Sequence, residues 1–416
     1  MSGPGAVGTL QTPPARTTAG TLLLALAVVL VALNQRPAVV GVAPVLVELR
    51  ADTGLSSALG GLLTSLPVLC FGAFAPVAPR LARRLGLETA VAASLVLLTG
   101  GVALRLLDPV AALYGGTVIA GGAIAVANVL VPAYVKREFA RPGLVMGVYS
   151  AALNVGAAVA AGLTVPLQMA LGLDWRTALA GWGLLAVLAL AVWLPVAGTG
   201  ASRRGGVRAP GASWGLLREP LARRVTVFLG MQSTQFYALA AWLPTLLTDA
   251  GLPAADGGAL LAVSTVTGAV GAFLGPTVAG SMQARGRGQR PLVLVVLACY
   301  LVGVGGLLLA PTTATVVWVA VFGVAQGGGF ALALTLIVLR SATPLTAARM
   351  GGVAQCLGYL VAAAGPVVLG VLHDLTGGWS WPLALLLVLL LPMAWAGWGA
   401  ARDVVLPESF PAPPRA

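Results

Sequence analysis

The sequence predicts an all-α membrane protein with twelve transmembrane helices in two pseudo-symmetric six-helix bundles, and three observations lead there. Hydrophobic residues fill 58% of 416 positions and charged residues only 9%, against roughly 25% charged in an average soluble domain. Apolar runs of about 20 residues, enough to cross a hydrocarbon core of about 30 Å, recur along nearly the whole chain. The basic residues cluster in alternate breaks between those runs. A net charge of +12 could mark a nucleic-acid binder, but no basic stripe interleaved with aromatics occurs, so the charge reports topology and no nucleic-acid partner is expected.

Breaks at charge, proline and glycine clusters delimit the spans at about 19–48, 56–80, 88–106, 110–135, 143–170 and 175–197, then 222–248, 256–283, 291–310, 313–340, 347–372 and 380–401. Arg16 precedes a short apolar run in the manner of a signal peptide. No small-residue cleavage site follows, so the run reads as a retained first helix behind a cytoplasmic tail of residues 1–18. Placing both termini in the cytoplasm puts 20 of the 24 basic residues on that side. Only Arg50, Arg105 and Arg176 fall outside, as the positive-inside rule requires of a multi-pass plasma (inner) membrane protein.

The stretch "VAGTGASRRGGVRAPGASWG" (196–215) is Gly-rich and polar and reads as a cytoplasmic linker, 198–221, between an N-terminal bundle of 19–197 and a C-terminal bundle of 222–402. Residues 403–416 form the second cytoplasmic tail. A shift of 204 positions lays "MGVYSAALNVG" (146–156) on "MGGVAQCLGYL" (350–360), and Trp175 on Trp379. Parallel repeats of this kind place a substrate site near the midplane between the halves. Cys70, Cys299 and Cys356 lie in separate runs and read as small buried hydrophobes. The single histidine, His373, excludes a His-rich metal site, and no cofactor is expected.

One cation is left over by the topology. Residues 20–33 alone make a helix of about 21 Å, too short to span, so the first helix is expected to continue through "NQRP" (34–37) to about Leu49. Arg36 then lies near the middle of the membrane. A central arginine costs about 2.5–3.5 kcal/mol on insertion scales and normally faces a water-filled cavity or a partner. All twelve carboxylates map to span ends or loops, which leaves a permanently cationic fork suited to an anion or a pair of polar acceptors. The competing reading is a structural brace that donates to carbonyls of neighbouring helices. Pro37 removes a backbone donor beside it.

The segments "LNQRP" (33–37), "GVAPVLVELR" (41–50), "LLTSLPV" (62–68), "VPAYVKREF" (131–139), "GVYSAAL" (147–153), "AWLP" (241–244) and "AQCLGYLVAAAGP" (354–366) resemble the major facilitator superfamily, in its cyanate and 2-nitroimidazole transporter family. The resemblance covers nearly the whole chain and implies alternating-access transport of a small solute. One departure concerns the loop between helices 2 and 3, where the superfamily's Asp-Arg-x-Gly pattern reads "RRLG" (83–86). Its copy reads "QARG" (283–286), so the charge relay usual in that loop is in doubt.

Polar side chains within apolar spans supply the remaining candidates. Asn34 flanks Arg36; Asn128 lies in helix 4; Tyr149 and Asn154 lie in helix 5, with Ser150 one turn from Asn154. Gln232, Gln235 and Trp242 share one face of helix 7. Gln326 in helix 10, with Gln355 and Tyr359 in helix 11, completes a ring around a central polar cavity. Each of these could instead make only an interhelical hydrogen bond worth about 0.6 kcal/mol. The expected function is a secondary active or facilitative transporter of a small anionic or polar solute, cyanate-like or a small organic acid, working as a monomer among membrane lipids. An exporter of small drugs such as nitroimidazoles is the alternative. A non-transporting receptor lacks a soluble output domain, and no nucleophile, base and metal constellation supports an enzyme.

Overall fold

The computed structural model describes residues 18–55, 57–200 and 213–406. Nearly all of the expected N-terminal tail with Arg16, the middle of the expected linker with Arg203, Arg204 and Arg208, and residues 407–416 with Glu408 and Arg415 lie outside the described residues. Fifteen helices follow one another: α1 (Thr18–Gln35), α2 (Pro37–Val40), α3 (Leu46–Thr53), α4 (Ser57–Phe74), α5 (Ala78–Leu85), α6 (Leu87–Leu104), α7 (Val110–Glu138) and α8 (Pro142–Leu171). Then come α9 (Trp175–Gly200), α10 (Pro220–Asp249), α11 (Ala254–Ala284), α12 (Arg290–Leu309), α13 (Thr315–Leu339), α14 (Pro344–Thr376) and α15 (Ser380–Ala400). Among the described residues there is no β-strand, only an isolated bridge between Ser341 and Leu406.

The first span comprises α1 to α3 and the second α4 with α5; each later helix is one span. Eleven spans are long and apolar enough to cross a membrane. The twelfth, α10, has 30 residues, about 45 Å of helix, but the run Gln232 to Gln235 lowers its hydropathy. Helix ends follow backbone chemistry: proline opens α8, α10 and α14, where its missing N–H costs nothing, and Gly172 and Gly377 close α8 and α14 at φ of 62° and 67°.

One expectation is corrected. The first span is not one continuous helix through "NQRP". It stops at Gln35, restarts as the four-residue α2 and passes a 3-10 turn at Ala43–Val45 before α3. Pro37 cannot donate to extend α1, and the Arg36 carbonyl instead accepts from Val39 (3.0 Å) and Val40 (2.8 Å). Arg105, at the outer end of the third span as the span bounds place it, closes α6 with only 2% of its surface exposed. Its Nη1 donates to the Ala38 carbonyl at 2.7 Å, an acceptor that α2 is too short to satisfy from within.

Helices α1–α9 pack mainly on one another, as do α10–α15. The same ties recur in both groups. Asn34 Nδ2 donates to the Leu185 carbonyl (2.8 Å) and Gln235 Nε2 to the Leu386 carbonyl (2.6 Å), each across 151 positions. Trp175 Nε1 donates to Asp52 (3.1 Å) and Trp379 Nε1 to Asp249 (2.8 Å). These pairs give the sequence repeat physical form: a polar residue in the first helix of each group holds the last, and a tryptophan starting the last helix holds the end of the first.

The groups meet where α8 crosses α11 and α4 crosses α14, with α7 and α13 behind. At the arginine-rich ends the seam is tight. A Cβ on Gly143 would fall 2.6 Å from the Gly280 Cα, and one on Gly147 2.7 Å from the Phe273 carbonyl oxygen, so backbone meets backbone there. Residues 123–135 of α7 and 331–339 of α13 are buried on every side. Charge near this face is held by Arg137, which pairs with Glu88 and, at 2.6 Å, with Glu138, and by Arg340, which pairs with Asp403 at 3.0 Å. The loop whose "RRLG" lacks the superfamily's carboxylate is therefore followed at once by one that is engaged, Glu88 in the first turn of α6.

Gly143→Leu should force this seam apart while each group keeps its own packing. Alkylation of Cys356, buried on the α14 side of the seam, is expected to rise severalfold by mass spectrometry, and unchanged labelling would show that the seam absorbs the side chain.

Candidate functional site

The helix break at Arg36 builds the site. With α1 ended and α2 turned, the guanidinium is half-buried and, among the described residues, paired with no carboxylate. It faces the Tyr237 hydroxyl and lies 5.8 Å from the centre of the Phe330 ring, a distance at which the ring quadrupole attracts a cation. Its charge acts on Tyr149 and Tyr359. Residues from both groups thus converge on one cation.

Around it the rings interlock. Phe71 and Tyr359 have centroids 5.6 Å apart, Tyr237 and Tyr359 6.4 Å, and Phe236 and Tyr237 5.0 Å. A hydrogen-bonded chain supports the N-terminal side: Gln35 Nε2 donates to the Tyr149 hydroxyl at 3.2 Å, and that hydroxyl donates to Asn128 Oδ1 at 3.2 Å. Gln355 Nε2 reaches across the seam to the Asn128 carbonyl at 3.3 Å, leaving its own Oε1 buried without a partner. An unpartnered buried acceptor is costly, about 1–3 kcal/mol, and marks a place where polarity is kept between the two groups.

Of the candidates named from the sequence, the structure brings Arg36, Asn128, Tyr149, Gln355 and Tyr359 close to one another. The other candidates are engaged elsewhere. Asn34 donates to the Leu30 and Leu185 carbonyls and Gln235 to Leu386, both inside their own group. Gln232 Nε2 donates to the Gln326 carbonyl at 3.1 Å, so this pair joins α10 to α13. Trp242 donates to the Pro366 carbonyl at 2.7 Å and packs 5.5 Å from Trp379, towards the opposite face. Asn154 bonds back to the Ser150 carbonyl at 2.9 Å, with its Oδ1 near Gly268 across the seam. Four residues absent from the sequence reading complete the site: Gln35, Phe71, Tyr237 and Phe330. Among the described residues no cluster of metal-ligating side chains occurs.

A family model described as the Major Facilitator Superfamily matches residues 24–366. The chain belongs to the major facilitator superfamily. Among its relatives, the 2-nitroimidazole transporter of Escherichia coli (strain K12) is 36% identical over 389 residues, 92% of this chain and 96% of that protein. The cyanate transport protein CynX of the same organism is 33% identical over 361 residues, 85% and 91% of the two chains. The fold is shared with the superfamily transporter FucP in its outward conformation, at a TM-score of 0.69 and 12% identity, with 91% of this chain and 99% of that one covered. As a superfamily member with these relatives, the chain is a multi-pass membrane transporter of small solutes.

The geometry separates braces from site residues. Gln235→Leu removes a tie to α15 and should lower the melting temperature by a few degrees, in line with about 0.6–1.7 kcal/mol for a membrane hydrogen bond, while leaving solute affinity unchanged. A shift in affinity without loss of stability would return Gln235 to the site.

Proposed function

We propose that this superfamily member moves a small anionic or polar solute by alternating access, with Arg36 as the group that holds its charge. The single observation behind this reading is that Arg36 sits half-buried between the two groups of helices and, among the described residues, has no carboxylate partner. A cation so placed is costly unless a ligand or water shares its charge, and its fork matches two acceptor oxygens at once. Tyr149, Asn128 and Gln355 would set the solute's orientation.

Alternating access needs two bodies, and residues 19–197 and 222–402 are proposed as those bodies, joined by the linker at 198–221. The arginine-rich face is assigned to the cytoplasm and the chain to the plasma (inner) membrane, with both termini inside, on the positive-inside rule. The tight seam at that face then corresponds to an outward-facing state, and Trp242 lies towards the outer mouth. The chain acts as a monomer within the lipid, and its role is transport rather than catalysis. No carboxylate among the described residues pairs with Arg36, so the coupling routes proposed are facilitated diffusion, anion exchange, or proton symport through the solute or a tyrosine. A second reading, movement of an uncharged planar heterocycle, draws on the name of the 2-nitroimidazole relative.

In liposomes, uptake of labelled cyanate and of a panel of organic anions, measured with and without a pH gradient, tests the proposal. Arg36→Ala is expected to cut saturable anion flux at least about tenfold, with Arg36→Lys retaining part of it because the charge remains but the fork is lost. Anion flux that survives Arg36→Ala in a folded protein would make Arg36 a brace and give the lead to the uncharged cargo.

A further inference from the structure

Resting on the anion reading of Arg36, we infer that the cargo is a flat, ring-bearing monocarboxylate rather than a linear pseudohalide. The wall around Arg36 carries the inference. Of the six tyrosines in the chain, three, Tyr149, Tyr237 and Tyr359, stand within reach of its charge. Phe330 lies beside the guanidinium and Phe71 against Tyr359. A three-atom anion needs one cation and a few small polar neighbours. It gains nothing from aromatic faces, which would repel a negative charge placed over them. A carboxylate attached to a conjugated ring uses both parts of the site: its two oxygens take the fork, and its ring lies against the faces and edges of the aromatic side chains.

The charge number follows from the same neighbourhood. Among the described residues, Arg36 is the one basic side chain in contact with these rings. The next cation along the chain fold, Arg105, approaches α2 from α6 and spends its Nη1 on the Ala38 carbonyl. One cation in a poorly solvated layer balances one negative charge; a dicarboxylate would leave its second charge without a partner. Access is also selective. Arg36, Tyr237 and Phe330 are each partly exposed, whereas Gln35, Tyr149, Tyr359 and Phe71 behind them are buried. The partly exposed trio therefore offers a cationic head with two ring-bearing neighbours, the cation from the N-terminal group and the rings from the C-terminal group. A ligand that bridges them joins the two groups, which is what a transported solute must do for the groups to close around it.

Equilibrium binding of radiolabelled benzoate to the purified full-length protein, with competition by cyclohexanecarboxylate, acetate, cyanate, benzoate's neutral amide and 2-nitroimidazole, tests the inference. Benzoate is expected to bind about tenfold more tightly than cyclohexanecarboxylate, which has the same charge and nearly the same size without a π face. Phe330→Leu should bring the two within about threefold of each other, Phe330→Tyr should keep the preference, and Arg36→Gln should abolish binding of every carboxylate. Melting temperature and monodispersity of each variant confirm folding. If benzoate and cyclohexanecarboxylate compete equally, if cyanate outcompetes both, or if Phe330→Leu leaves the preference intact, the rings are packing only and the inference falls while Arg36-dependent anion binding stands. If Arg36→Gln binds all anions like the wild type, or the neutral amide and 2-nitroimidazole bind as well as benzoate, the anion reading itself falls.

Discussion

A guanidinium without a counter-ion, held between two groups of membrane helices, is the constraint from which the rest of this structure follows. Such a charge cannot sit on an unbroken helix facing lipid, because the side chain would need to reach water more than ten ångströms away. The chain meets the constraint by ending α1 at Gln35 and letting Pro37 turn the backbone. The break in turn strands a carbonyl, that of Ala38, and a second buried arginine, Arg105, closes it from α6. One costly group thus determines a helix break, a compensating cation and a wall of rings contributed by helices that are far apart in sequence.

Around this centre polar ties hold each group of helices together, while the arginine-rich end of the seam between the groups is nearly free of side chains. Ties such as Asn34 to Leu185 and Gln235 to Leu386 fasten first and last helices at matching places in the repeat. The seam, by contrast, is built from glycine against glycine or glycine against backbone. Dispersion between close backbones holds such a crossing shut, and few side chains must unlock for it to open.

The spans were legible in the sequence because lipid demands long apolar runs, and Arg36 was legible because every other charge in those runs lies near a span end. Tyr237 and Phe330 were not, since an aromatic residue in a membrane helix carries no signal that separates a cavity wall from a lipid contact. Gln35 was hidden by its neighbour for a geometric reason. Adjacent helical residues point about 100° apart, so when Asn34 turns to α9, Gln35 turns to Tyr149. Gln232 and Gln235 share one helix face, yet both are consumed inside the C-terminal group, because periodicity gives a face without saying which neighbour it meets. The role of Arg105 was not legible because its partner, the Ala38 carbonyl, is left without a helical donor only after the first helix has broken.

The polarity of α10 has a consequence for how the protein is made. Ten of the twelve spans consist of a single helix, and α10 is the one among them that falls short of the apolarity needed to partition into lipid unaided. Its Gln232 and Gln235 find acceptors only on α13 and α15, which are synthesised later. In the order of synthesis α10 therefore enters the membrane before the helices that satisfy its two amides exist.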